Sequence, residues 1–361
     1  PPPPPPPFQA EDGIRDNGAG LVGSEMCIRD RAMNNSHLLS IQNLKIRFKS
    51  FEGVVLAVDG VDLNMAPGET VGLVGESGCG KSVTALSILR LLPKRSARIE
   101  GCITFAGKDL LVANEEELLK IRGNSVSMIF QEPMTSLNPV MTIGNQIAEA
   151  FVLHQNLTWN EARKRAVEML DQVQIPSPKY RSRDYPHSLS GGMRQRAMIA
   201  MALSCQPKLL LADEPTTALD VTIQAQIMDL MLRLQDKLNT GILLITHDLG
   251  LIAEMVSRVI VMYAGQVVEE APVLELFDEP LHPYTRGLIG SVPKLGQKFI
   301  AGRKQLDEIK GIVPSLQNMP PGCRFNPRCP LVMRKCLEQT PGMVRISSQR
   351  QVRCWLAGGA E

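Results

Sequence analysis

Gly75-Glu76-Ser77-Gly78-Cys79-Gly80-Lys81-Ser82 is the stretch that decides the fold. It fits the phosphate-loop pattern G-x-x-x-x-G-K-S/T at every fixed position. The apolar run Val71-Gly72-Leu73-Val74 before it reads as a buried strand, and Val83 to Leu89 after it reads as a helix. Strand, glycine turn and helix start are the context in which the pattern carries meaning. The glycines let backbone N–H groups close on a phosphate, and the helix start adds partial positive charge. Gly75, Glu76, Ser77, Gly78, Cys79 and Gly80 form the cradle. Lys81 reaches the β- and γ-phosphates, and the Ser82 hydroxyl is placed to hold Mg²⁺.

Upstream, short apolar runs alternate with polar residues between His37 and Met65, which predicts a set of antiparallel strands. Ala66-Pro67-Gly68-Glu69 turns the chain into the phosphate-loop strand. Phe48 or Phe51 can stack on an adenine ring, and core packing explains either one equally well.

Downstream, strands and helices alternate. Strands are expected over Ile99–Phe105, Val126–Phe130, Leu209–Ala212, Gly241–Ile245 and Arg258–Met262. Helices are expected over Glu115–Arg122, from Thr142 and from Trp159 to Val173, from Gly191 to Ser204, and over Val221–Leu238. The alternation predicts a mainly parallel sheet covered on both faces, with ligands at the carboxyl ends of its strands.

The polar residues that end these strands are the candidate chemistry. Asp213 closes an apolar strand, where a carboxylate helps to hold Mg²⁺. Glu214 beside it is assigned to orient or deprotonate the attacking water. His247 follows the next strand and is placed to bridge the γ-phosphate and that water. Gln131, after another strand, offers an amide to metal and water. Ser190-Gly191-Gly192 opens a helix with a hydroxyl and two unhindered N–H groups, a second anion site. One ATP does not need two such helix starts from one chain. Two chains head to tail, each completing the other's site, use both.

The chain has 361 residues, a formal charge of +2 and 21% charged residues, which excludes a strongly basic nucleic-acid binder. No apolar run approaches the ~20 residues that span a bilayer. Residues 1–32 open with seven prolines and resemble translated adapter DNA; they are set aside as a non-native or disordered leader, with Met33 as the expected start. From Pro272 the periodicity weakens and proline and glycine increase. There Cys323-x5-Cys329-x6-Cys336-x17-Cys354 offers four soft ligands. Spacing alone leaves zinc, an iron–sulfur cluster and unrelated free thiols comparable.

The phosphate loop, Gln131, Leu189-Ser190-Gly191-Gly192-Met193, Leu210-Leu211-Ala212-Asp213-Glu214, Ala218-Leu219-Asp220 and His247 together resemble the ATP-binding subunit of an ABC transporter. The stretches Gln131 to Pro139, Pro215 to Thr222 and His282-Pro283-Tyr284-Thr285-Arg286 resemble the dipeptide/oligopeptide importer branch, which nickel and glutathione importers share. The resemblance spans nearly all of Leu38 to Trp355. It implies an α/β P-loop ATPase core over 33–271, with an antiparallel β subdomain and a helical subdomain at about 140–190, then a small cysteine-containing extension over 272–361. It favours Phe51 as the adenine stacker. Gly322 to Pro330 is similar to the branch's cluster-binding tail, which implies a 4Fe–4S cluster on the four cysteines, with zinc as the alternative. It further implies ATP and Mg²⁺ as cofactors. The partners are permease subunits, a second ATP-binding subunit that is a related chain or a copy, and a substrate-binding protein reached through the complex. The place is the cytoplasmic face of the bacterial inner membrane. Two readings from other classes are a soluble ABC ATPase for DNA repair or translation, and an iron–sulfur redox sensor. The first expects a coiled-coil insert or two fused cassettes, and neither pattern is present here.

Overall fold

A computed structural model describes residues 37–50, 53–216, 219–291 and 309–357. Phe51, Thr217, Ala218 and the leader lie outside the described residues. The chain begins with two long antiparallel strands, β1 (Leu39–Ser50) and β2 (Gly53–Met65). Several short strands were expected here, and the reason for the difference is visible in the pairing. Register shifts between Ile41 and Leu44, and again between Ile46 and Arg47, break the two-residue alternation without ending the strand. The strand β3 (Thr70–Val74) then enters the phosphate loop and α1 (Lys81–Ile88) leaves it. The hairpin is completed by β4 (Ala97–Phe105) and β5 (Lys108–Asp109), in a four-stranded antiparallel sheet of order β2-β1-β4-β5.

Next come α2 (Glu115–Ile121), β6 (Val126–Ile129), α3 (Ile143–Gln155) and α4 (Trp159–Gln172). Two reciprocal caps fix the starts of α2 and α4. Asn114 and Glu117 exchange side-chain-to-backbone bonds at the first, and Thr158 and Glu161 do so at the second. Ile143, Ile147 and Phe151 form the buried stripe of α3, as its periodicity predicts; Ala150, expected on that face, is only half-buried. The chain continues through α5 (Gly191–Leu203), β7 (Leu209–Asp213), α6 (Val221–Leu238), β8 (Gly241–Thr246), α7 (Leu249–Met255), β9 (Arg258–Tyr263) and β10 (Gln266–Pro272). It ends in α8 (Val273–Asp278), α9 (Pro283–Gly290), α10 (Arg334–Glu338) and the short strands β11 (Val344–Arg345) and β12 (Gln351–Val352).

The main sheet has the order β11-β12-β10-β9-β3-β8-β7-β6. Its middle, from β9 to β6, is parallel, and every residue of β3, β7 and β8 is buried. Continuous apolar runs are what a sheet covered on both faces requires. The extension adds to this sheet: Glu269 pairs with Val352 and Glu270 with Gln351, so β12 and β11 lengthen its edge. An aromatic group locks the same region. The rings of Tyr263, Tyr284, Phe325 and His282 pack with centroids 4.7 to 6.5 Å apart. Burial holds the His282 imidazole down to about 3, and its neutral Nδ1 accepts the Tyr284 N–H at 3.0 Å to cap α9.

Candidate functional site

The cleft forms where β3, β7 and β8 end, and the phosphate loop is its floor. Gly75 sits at φ +150°, and a Cβ there would lie 2.2 Å from the Met262 carbonyl oxygen. Gly80 sits at φ +106° with the Ala57 carbonyl oxygen 2.9 Å from a built Cβ. Only glycine fits both the backbone angle and the space at these two positions. Lys81, 5% exposed, folds back on the loop; its Nζ donates to the carbonyls of Gly75 at 2.7 Å and Glu76 at 3.0 Å. An incoming triphosphate offers the ammonium stronger, charged acceptors than these two carbonyls.

At the head of α1 the Ser82 hydroxyl donates to Asp213 Oδ1 at 3.0 Å. The pairing brings the two proposed Mg²⁺ ligands side by side from positions 131 residues apart. Burial pushes the Asp213 carboxyl above its usual range and the Glu214 charge adds to that, while the Ser82 bond and Lys81 oppose it. A hard cation is what such a part-buried oxygen pair is suited to receive.

Beside it stand the three residues assigned to water. Gln131 Nε2 donates to Glu214 Oε2 at 2.9 Å, and His247 Nδ1 lies 3.1 Å from Glu214 Oε1. Three separate strand ends therefore deliver one hydrogen-bonded group. Glu214 has φ +46°, a left-handed conformation rare for a residue with a side chain, and its N–H is tied to the Ile245 carbonyl at 2.8 Å. Such strain at a polar strand end is a mark of functional sites. The Glu214 side chain is 15% exposed and that of His247 65% exposed, so the imidazole faces the open side. Gly75, Glu76, Ser77, Gln131, Glu214 and His247 line one open cleft of about 700 Å³, together with Leu288, Ser291 and Ile309 of the extension.

Ser190, Gly191 and Gly192 do not line that cleft. Ser190 caps α5 by accepting the Met193 N–H at 3.3 Å, and it is exposed. The serine–glycine helix start thus lies on the surface of the same chain. Phe48 is half-buried against the β1–β2 core, in agreement with packing.

The four tail cysteines converge. Cys323, Cys329, Cys336 and Cys354 line one small pocket with His282, Phe325 and Trp355. Burial raises the Cys323 thiol to about 11, with the other three thiols adding to the rise. Among the described residues, no group of three or more His, Cys, Asp or Glu is placed to hold a metal ion. The donor set is nonetheless four thiols on one pocket wall, which suits a soft metal group.

Sequence reasoning missed the residues by which the tail reaches the phosphate loop. The Tyr284 hydroxyl accepts the Glu76 N–H at 2.8 Å, and Arg328 forks onto the Glu76 carboxylate. These contacts join positions 208 and 252 residues apart, beyond any local pattern.

The fold and site define a phosphate-loop ATPase of the cassette type, and known proteins agree. The ABC transporter family matches residues 58–217, and the oligopeptide/dipeptide transporter C-terminal region matches residues 268–336. The oligopeptide transport ATP-binding protein AppD of Bacillus subtilis is 56% identical over 322 residues, covering 89% of this chain and 97% of that protein. A probable peptide ABC transporter ATP-binding protein of Sinorhizobium fredii, y4tR, is 52% identical, covering 88% and 94%. Among solved structures, the dimeric post-hydrolysis state of the ATP-binding cassette MJ0796 with ADP and Pi aligns with a TM-score of 0.59 at 29% identity, covering 65% of this chain and 98% of that one. The chain belongs to the ATP-binding proteins of ABC transporters, ATPases whose hydrolysis is coupled to transport, and it carries the C-terminal region of the oligopeptide/dipeptide group. Among the described residues no helix is long and apolar enough to cross a membrane.

Proposed function

We propose that this chain hydrolyses ATP to power the import of di- and oligopeptides through partner permease subunits at the cytoplasmic face of the bacterial inner membrane. The observation that carries the hydrolytic part is the Gln131–Glu214–His247 group at the mouth of the phosphate-loop cleft. Gly75 to Ser82 would grip the triphosphate, with Lys81 released from its two carbonyls to the phosphates. Ser82 and Asp213 would hold Mg²⁺ with Gln131 in reach, and the ion would offset phosphate charge. Glu214 orients and deprotonates water, and His247 steadies the γ-phosphate side. Phe51 remains the proposed adenine stacker.

Ser190, Gly191 and Gly192 complete the partner chain's site in a head-to-tail pair. The exposure of Ser190, with Gly191 and Gly192 half-buried beside it, supports this, and so does the dimeric structure of the cassette relative MJ0796. A related chain is the proposed partner, and a substrate-binding protein supplies cargo through the permease. The peptide cargo follows the names of the relatives and the matched C-terminal region. The complex should be co-purified from native membranes and placed in proteoliposomes. It should then take up labelled short peptides only when ATP is supplied on the face bearing this chain. Uptake of nickel or glutathione with no peptide uptake would overturn the cargo and assign the chain to those importers.

For the tail we propose a 4Fe–4S cluster on Cys323, Cys329, Cys336 and Cys354. Four thiols lining one pocket support a soft metal group there, and the likeness of Gly322 to Pro330 to the branch's cluster-binding tail favours the cluster over zinc. Anaerobically purified chain should carry about four irons and absorb broadly in the visible. Cys323→Ser with Cys329→Ser should lose both signals, and stoichiometric zinc without iron would overturn the cluster.

A further inference from the structure

Glu76 places an acid on a loop shaped to receive a triphosphate. Its carboxylate sets negative charge where an anion must dock, which raises the cost of binding there. The structure shows how the loop tolerates it. Arg328 Nη1 donates to Glu76 Oε2 at 2.6 Å, and Nη2 donates to Oε1 at 2.9 Å. This two-point fork is the strongest form of carboxylate pairing. The Arg328 side chain is 3% exposed, whereas that of Glu76 is 29% exposed.

The guanidinium is also fixed from behind. It donates to the carbonyls of Ile309 at 3.2 Å and Lys310 at 3.1 Å, and it lies 5.8 Å from the Tyr263 ring centre. Two further contacts hold the loop, one from α9 and one from the turn between β9 and β10. The Tyr284 hydroxyl accepts the Glu76 N–H, and the Gly265 N–H donates to the Cys79 carbonyl at 2.9 Å. Arg324 in turn holds the neighbouring Ala264 carbonyl and pairs with Asp59. Glu76, a position that the phosphate-loop pattern leaves free, is thus tied directly to the tail, and Cys79, another, is tied to the β9–β10 turn that Arg324 holds.

We infer that Arg328 is a positioning residue of the nucleotide site: it neutralises Glu76 and holds the leading edge of the phosphate loop, so the tail sets how tightly ATP binds. The inference rests on the nucleotide-site reading above. Arg324 follows Cys323 and Arg328 precedes Cys329, so the turn carrying both guanidiniums begins and ends at thiols of the four-cysteine pocket. The fold of that pocket is therefore part of the ATP site.

The test is ATPase kinetics of the full transporter complex. Arg328→Gln should raise KM for ATP about tenfold, with kcat within about twofold. Added salt should shrink that penalty, because it screens the freed Glu76 charge. The double variant Glu76→Gln with Arg328→Gln should return KM to within about threefold of wild type. A purely structural clamp predicts the reverse, a double variant at least as impaired as the single one. Should Arg328→Gln not fold, Glu76→Gln alone decides. Charge repulsion predicts a lower KM, and a structural clamp predicts an unchanged or higher one. A KM for Arg328→Gln within twofold of wild type, or a double variant without recovery, would overturn the inference while leaving the nucleotide site intact. A wild-type complex without ATPase activity would overturn the nucleotide-site reading and this inference with it.

Discussion

Glu214→Gln will bind ATP and lose nearly all hydrolysis, by about 10²- to 10⁴-fold in kcat. The size follows from what the substitution keeps. The amide is the same shape as the carboxylate and can retain both neighbours. Its oxygen accepts the Gln131 N–H that Glu214 Oε2 now accepts at 2.9 Å, and its NH₂ turns toward His247 Nδ1. The imidazole then accepts rather than donates at Nδ1, a change of tautomer that costs little because the ring is open to solvent. The left-handed backbone at position 214 is tied by the Ile245 carbonyl, so it stays in place. Only the proton acceptor is gone. ATP binding, which depends on Gly75 to Ser82, should be within a few-fold of wild type, and the paired state should accumulate because nothing reopens it. Phosphate release and nucleotide retention, measured on the same preparation, check both halves. Near wild-type turnover would end the assignment of Glu214 to water activation.

Two kinds of site residue were legible in the sequence, each for its own physical reason. Gly75, Gly80, Lys81 and Ser82 were legible because their chemistry is local: a turn, a close backbone approach and a helix start, all within eight residues. Asp213, Glu214, His247 and Gln131 were legible because each ends an apolar run, and parallel strands bring their ends together. The long hairpin of β1 and β2 was legible as antiparallel but not as two strands. Its register shifts interrupt the alternation from which strand length is read.

The tail was hidden for a different reason. Arg324, Arg328 and Arg350 secure it through charges on residues far away in sequence. Arg350 lies 3.7 Å from Glu269, a carboxylate with no exposure that also accepts the Leu281 and His282 N–H groups at 2.8 Å. Ion pairs across 81 to 265 residues leave no period in the sequence. Weak periodicity therefore read only as a small extension after Pro272, whereas the chain there lengthens the main sheet and borders the nucleotide cleft.

Ser190→Arg will leave a folded chain that binds ATP but fails to pair around it, with ATPase in the complex down by at least about 10²-fold. The single-chain consequences are small. Ser190 is exposed, and its loss removes one N-cap bond to Met193, which costs about 1 kcal/mol. The consequences for a pair are large. Ser190 stands exposed at the head of α5, so the space on the outer side of this helix start is where the proposed partner's phosphate would dock. A guanidinium chain at the cap fills that space and removes the small hydroxyl proposed to face the partner's γ-phosphate. ATP affinity of the isolated chain, ATP-dependent pairing by light scattering, and turnover of the complex should be measured together. Intact affinity with lost pairing supports a shared site. A further arm separates a self-pair from a pair of related chains. Mixed Lys81→Ala and Ser190→Arg copies rebuild one intact site only if the chain pairs with itself, because each then supplies what the other lacks. Ser190→Arg with normal pairing and turnover would mean that this helix start takes no part in ATP binding by either chain.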